Sequence, residues 1–442
     1  MKKIKLFLLP AIVLTLLLAL SSCGTNSAKG VFKKINSTMN SLDSYESEAT
    51  VTVSVDVQGQ KISVSSHTKE VLYELSSKDC YVYSETNARS SFAGNVASYK
   101  RIKAYHDGNA FSYANIGGSN QSLYSELSRR DFLKYYQYSQ SEFDTSDIYD
   151  CENRTFTQSE DGGGWNVQFS GYSQKIIDSY LYAMGLSDYD IDDNVIDMQI
   201  TLKADSEFRA TSMSMKMIFE GDDSGATGSK IESYVRYSSY NDVVPETEDL
   251  NTMYYRKVAD VRLIDGFAYM IEDIQSKRSD RFTLSVKQDN GQTEYTEESI
   301  VRFGKTGGKY YYEIESEING ESYEITYKDG KKTTSKGDKS DTANQTDKAA
   351  RSFINGLINS ANYNALYVDD IVQLDDGRYK VTLDIANIDQ YRDLITSAGG
   401  SYSGAEQTIY FTVKNKKISK IESDITLGYN GKEIIIKSVV DF

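Results

Sequence analysis

The chain has 442 residues and a formal net charge of −15, with 64 Asp and Glu against 49 Lys and Arg. Such acidity argues against nucleic acid as a partner, whose phosphates demand a basic face, and against a body lying flat on anionic lipid. Two prolines beside 30 glycines and 35 tyrosines are the composition of long strands joined by tight turns, with Tyr supplying an apolar ring and a wet hydroxyl.

In chain order the first element is not a folded one. MKKIK carries three lysines and no acid, and it leads into an apolar run from Leu6 to Leu20 broken by Pro10 and Thr15. Basic, apolar and small residues in that order describe a secretory signal. The run is shorter than the ~20 apolar residues of a stable membrane span. It ends in Leu20-Ser21-Ser22-Cys23, followed by Gly24. This segment resembles the lipobox of bacterial lipoproteins, with Leu three places ahead of a cysteine that follows two small residues. The resemblance implies that the Cys23 thiol takes diacylglycerol, that the chain is cut before it, and that the new N-terminus is acylated. A thiol is needed because its thiolate is nucleophilic enough to accept the lipid. More than one acyl chain is needed because one alone anchors only marginally. The plainer alternatives are an ordinary signal peptide with an incidental cysteine, or an uncleaved anchor helix.

Residues 1–22 therefore read as a lipoprotein signal peptide and residues 23–30 as a polar tether. The 420 residues left carry −18, since Lys2, Lys3 and Lys5 are removed. At ~150 residues per domain, that length suggests at least two. VFKKINSTMNSLDSY places Val31, Phe32, Ile35, Met39 and Leu42 on one helical face. Strands follow in TVTVSVDV, KISVSS, EVLYEL and CYVYSE, and Asp107-Gly108 marks a hairpin in YKRIKAYHDGNAFSY. SELSRRDFLKYYQ reads as a helix, GWNVQFS as a strand and YSQKIIDSYLYAMG as a helix closed by Gly185. Strands near 195–203, 211–220 and 229–237 complete a first domain, residues 31–245.

A second domain, residues 250–442, repeats the order. VADVRLIDGFAYMIEDIQSK opens it as a helix, and hairpins turn at Asp289-Asn290-Gly291 and Asn319-Gly320. The polar stretch KKTTSKGDKSDTANQTDK leads into a helix, AARSFINGLINSAN. Strands, the helix ANIDQYRDLITSAGG and three final strands follow. At a constant offset, Gly163 aligns with Gly377, Trp165 with Tyr379, Val167 with Val381, Phe169 with Leu383 and Gly185 with Gly399. This is an internal duplication. The expected fold class is α+β, in two tandem domains, each a curved antiparallel sheet, or half-barrel, wrapping a few helices.

The lipobox, the helix leading into SYESEATVTVSVDVQG and the hairpin AYHDGNAFSY together resemble the LolA-like fold of bacterial lipoprotein carriers and LppX-type lipoproteins. The resemblance implies a cavity that binds lipid or an acylated protein, and it assigns no ligand-binding residues.

Catalytic constellations are sparse. His67 and His106 both lie in polar strand or turn contexts, and no G-x-S-x-G elbow occurs, GGSYSG at 399–404 having its serines one place off. GATGSK at 225–230 has its glycines too close for a phosphate loop. DYDIDDNVID at 188–197 offers Asp188, Asp190 and Asp192 at calcium-loop spacing. It has Asp193 where glycine is required, however, and no closing glutamate. The basic groups Lys100/Arg101/Lys103 and Lys414/Lys416/Lys417 read as solvated faces. Outside the membrane Cys80 and Cys151 either pair in a disulfide or remain separate thiols.

No catalytic residue, metal site or cofactor is expected. The sequence points to a non-enzymatic lipoprotein anchored on the extracytoplasmic face of the cell membrane through Cys23, binding a hydrophobic ligand or acyl chain in its half-barrels. The alternative is an interaction or structural module that binds other envelope proteins. A hydrolase of envelope polymers has the least support.

Overall fold

The computed structural model of the chain describes residues 27–57, 60–92, 95–116, 119–133, 151, 153–158, 163–171, 195–219, 226–277, 279–307, 309–385 and 401–442. Most of them lie in strands. The first sheet takes β1 Tyr45–Val57, β2 Gln60–Tyr73, β3 Tyr81–Phe92, β4 Asn95–His106, β5 Asn109–Ile116, β6 Ser119–Glu126, β7 Asn153–Gln158, β8 Gly164–Ser170, β9 Val195–Asp205, β10 Ala210–Phe219, β11 Ala226–Ser238 and the two-residue β12 Arg256–Lys257. The second takes β13 Ser279–Asp289, β14 Glu294–Thr306, β15 Lys309–Ile318, β16 Glu321–Lys328, β17 Lys331–Lys336, β18 Lys339–Asn344, β19 Val368–Gln373, β20 Tyr379–Leu383, β21 Tyr402–Lys414, β22 Lys417–Tyr429 and β23 Lys432–Asp441.

The expected α+β class is overturned. Among the described residues the protein is mostly β, with one sheet of 12 strands and one of 11, antiparallel apart from the short β12. Three helices of 12 to 14 residues stand beside them: α1 Ala28–Ser41, α2 Arg262–Gln275 and α3 Asp347–Ile358. The physical reason lies in the Ser, Thr, Tyr and Val content, which favours strands of up to 14 residues. Among the described residues these three helices are short beside two large antiparallel sheets, so strand rather than helix dominates the fold. Within the polar stretch read from sequence only as leading into a helix, KKTTSKGDKSDTAN forms the paired hairpin β17–β18, in register from Lys331 opposite Asn344 to Lys336 opposite Lys339.

The two sheets repeat one strand order. In the first, β7-β8-β9-β10-β11 runs into β1-β2-β3-β4-β5-β6. In the second, β19-β20-β21-β22-β23 runs into β13-β14-β15-β16-β17-β18. The aligned pairs Trp165/Tyr379, Val167/Val381 and Phe169/Leu383 lie on corresponding strands, β8 and β20.

The described residues form two compact units. One takes residues up to 109, 115–117 and 128–251; the other takes 110–114, 118–127 and 252–442. Residues 110–114 and all of β6, placed by the sequence within its first domain, thus pack with the second unit.

In the first unit Ser27 caps α1, its hydroxyl accepting from the Gly30 amide at 3.1 Å. The apolar face of α1 then buries Val31, Phe32 and Ile35 against Val167, Phe169, Met198, Ile200 and Cys151. Phe32 meets Phe169 edge-on at 5.5 Å. In the second unit α2 buries Ile264, Phe267, Ile271 and Ile274, and Phe267 stacks on Phe411 with ring centroids 4.0 Å apart. Thr346 caps α3 through the Ala349 amide at 3.2 Å, and Phe353 of that helix packs on Tyr312 of β15.

Candidate functional site

The alternation of β13 to β17 separates two faces. Phe282, Leu284, Val301, Phe303, Tyr312 and Ile314 are buried on one. Glu298, Ile300, Glu315, Glu317 and Glu324 line the other, where a groove of about 680 Å³ opens. Register assembles its charge. Glu298 stands opposite Glu317 across β14 and β15, and Glu315 stands opposite Glu324 across β15 and β16. Like charges directly opposite destabilise a sheet, so this pairing is a local cost in the fold.

Two contacts moderate it. Arg302 donates to Glu315 at 2.6 Å, and this bond holds the Glu315 carboxyl below the usual carboxylate range. Ser285 donates its hydroxyl to Glu298 at 2.6 Å. Ser299 and Ser316, both buried and also part of the groove's lining, bring their hydroxyls 2.7 Å apart. Ser299 and Tyr295 both donate to Glu297, at 2.9 and 2.8 Å. Burial, then that hydrogen bond, push the Tyr295 hydroxyl up to about 12. An array of carboxylates and neutral hydroxyls offers electrostatic attraction and hydrogen-bond acceptors to a bound group.

The residues singled out from sequence are dispersed. Cys23, the helix at 172–185, residues 188–194 and the helix at 386–400 lie outside the described residues. Cys80 and Cys151 are both buried thiols. Cys151 sits in the cluster under α1, whereas Cys80 lies near Arg129 and Asp43, with burial pushing its thiol up to about 11. His67 is exposed on β2, and His106 meets the Tyr81 ring edge-on at 6.0 Å beside its hairpin turn. Residues 226–230 of GATGSK begin β11 and residues 402–404 of GGSYSG begin β21; Gly225, Gly399 and Gly400 lie outside the described residues. Lys100 pairs with Glu85 at 2.9 Å. Burial pushes the Glu85 carboxyl up, but hydrogen bonds from Tyr83, Asn87 and Lys100 outweigh it and hold it at about 2. Asn415 and Lys416 form the β21–β22 turn, both with positive φ. Among the described residues no group of three or more His, Cys, Asp or Glu is placed to hold a metal ion, and no helix is long and apolar enough to cross a membrane.

Sequence reasoning missed the acid-lined groove, because its carboxylates are brought together by inter-strand register. The available signal was the run of alternating acids in KYYYEIESE beside ESYEITYK.

No protein-family model matches the chain, and no curated protein does. Among solved structures, a DUF1329 family protein from Desulfovibrio piger is similar at 10% identity over 52% of this chain and 100% of its own, with a TM-score of 0.18. A putative AttH from Nitrosomonas europaea is similar at 7% identity over 90% of this chain and 92% of its own, with a TM-score of 0.11. CghA bound to Sch210972 is similar at 8% identity over 90% and 89%, with a TM-score of 0.12. Similarity at these TM-scores assigns neither fold nor function to the chain.

Proposed function

We propose that the protein is a lipoprotein anchored through Cys23 on the extracytoplasmic face of the cell membrane, where it acts by binding as an interaction module of the envelope. The observation that carries the binding mode is the groove on β13 to β17. Four carboxylates line it and Ile300 is the single aliphatic residue in its lining, a surface suited to a cationic or polar partner rather than to an acyl chain. The sheet faces under α1 and α2, where a hydrophobic ligand would be held, are packed with the protein's own aromatic side chains.

Two measurements test this. Cys23→Ala should shift the full chain from the membrane fraction to the soluble fraction without unfolding it; persistent attachment would overturn the anchor. An oligolysine probe should bind the full chain in a salt-sensitive way, and E315Q/E317Q/E324Q should weaken that binding several-fold. Unchanged binding by the variant, or a stoichiometric lipid in an organic extract of the protein, would overturn the polar interaction module.

A further inference from the structure

Charge is segregated along this chain. From Cys23 to Leu42 there are three lysines, Lys29, Lys33 and Lys34, and no acid; the residues from Asp43 onward carry −21. All three lysines fall in the first half of α1, and all three are exposed. The opposite face of the helix is committed to the core through Val31, Phe32 and Ile35. Lys29 and Lys33, one turn apart, share the outward side of the helix, and Lys34 flanks them with its ammonium 6.0 Å from the Phe208 ring, so the helix sets three cations on a strongly acidic body.

Its place in the chain supplies the partner. Three residues separate Cys23 from Ser27, the cap of α1, and the four chain steps span at most ~14 Å. The helix rises ~1.5 Å per residue, so Lys29 and Lys33 follow within the next ~10 Å. If Cys23 carries the anchor, the reading on which this docking rests, these lysines are held at the lipid surface, within a few screening lengths of ~8 Å. The acidic remainder is repelled by anionic headgroups, whereas lysines near such a surface are attracted to it.

We propose that the exposed Lys29/Lys33/Lys34 face of α1 docks on anionic phospholipid headgroups of the membrane that holds the anchor. The reference site off this face is Arg89, exposed on β3, six strands away in the sheet order from β8, on which α1 packs, or ~29 Å across the sheet at ~4.8 Å per strand.

The test uses the full lipidated chain in vesicles containing brominated lipid, made either of phosphatidylcholine alone or of phosphatidylcholine with phosphatidylglycerol. A fluorophore is placed at Ser37→Cys, exposed on α1, or at Arg89→Cys, exposed on β3; the native Cys80 and Cys151 are buried. Flotation with the vesicles reports the anchor separately. The Ser37 probe should be quenched at least about twofold more on the anionic vesicles, and the excess should fall as salt shortens the screening length. The Arg89 probe should show no excess. K29Q/K33Q/K34Q should abolish it while still floating, and K29R/K33R/K34R should keep it. Equal quenching on both vesicle types, with flotation intact, would overturn the docking and leave the anchor standing. Failure of the wild-type chain to float would overturn the anchor, and the docking with it.

Discussion

The side-chain amide of Gln121, on β6, donates to the main-chain carbonyl of Val368, the first residue of β19. The two lie 247 positions apart in sequence, and Gln121 is buried. Between their strands runs the segment after β12. The Val258 amide donates to Tyr124 at 2.8 Å and the Ala259 amide to Ile371 at 3.0 Å. Hairpin, segment and β19 are thereby sewn together within the second unit.

Gln121→Ala removes this donor and leaves a buried carbonyl unpaired, which costs about 1–3 kcal/mol. The urea midpoint of the unit holding residues 252–442 should fall, with faster hydrogen exchange at Val258 and Ala259. Unchanged exchange at both amides would show that the side chain is not part of the seam.

Phe32→Ala should be the more damaging change in the first unit. The ring is buried, meets Phe169 edge-on and lies in the cluster that also holds Ile200 and Met198. Truncating a buried Phe costs about 3–5 kcal/mol. Thermal unfolding followed through Trp165, the single tryptophan, should report it, since that indole stacks on Phe208 in the same cluster.

Acid sensitivity should trace in part to Glu85. Its carboxyl is lowered from 4.5 to about 2. A group depressed on folding contributes stability that is fully present above its unfolded value and lost as pH falls through the folded one. That contribution should therefore disappear between about pH 4.5 and pH 2. Glu85→Gln should flatten the pH dependence of the urea midpoint in this window and leave it unchanged in slope near neutrality.

The two buried thiols should resist a thiol reagent at mild alkaline pH. Cys80 is shielded twice, by burial and by a thiol pushed up to about 11, and only the thiolate reacts. In guanidinium without reductant both cysteines should titrate. Their silence until reductant is added would instead reveal a disulfide between Cys80 and Cys151.

The local parts of this fold are written in local sequence. Asp107-Gly108 and Asn319-Gly320 carry the positive φ values of tight hairpins, and the periodicity around Phe267 locates α2 within a few residues. The hairpin β17–β18 escapes such a scan because every residue of β18 is exposed. With no apolar alternation to see, only cross-strand bonds such as Thr333 to Thr342 at 3.1 Å define it. The balance of helix and sheet also escapes, since short amphipathic stretches announce helices but not how much sheet they cover. The groove is the least legible of all. Glu298 and Glu317 are nineteen positions apart, and their opposition depends on β14–β15 register.

The repeated strand order has a consequence for biosynthesis. In each sheet, setting aside the two-residue β12, the strand that comes last pairs with the strand that comes first: β11 with β1, from Glu46 opposite Ser238, and β23 with β13, from Thr283 opposite Asp441. Such a central seam closes only over a loop of well over a hundred residues, the long-range contact that slows folding. An emerging chain must therefore hold one flank of each sheet, with an open edge, until its closing strand is made. Deleting β23 would remove no surface decoration; it would divide the second sheet into two flanks with nothing between them.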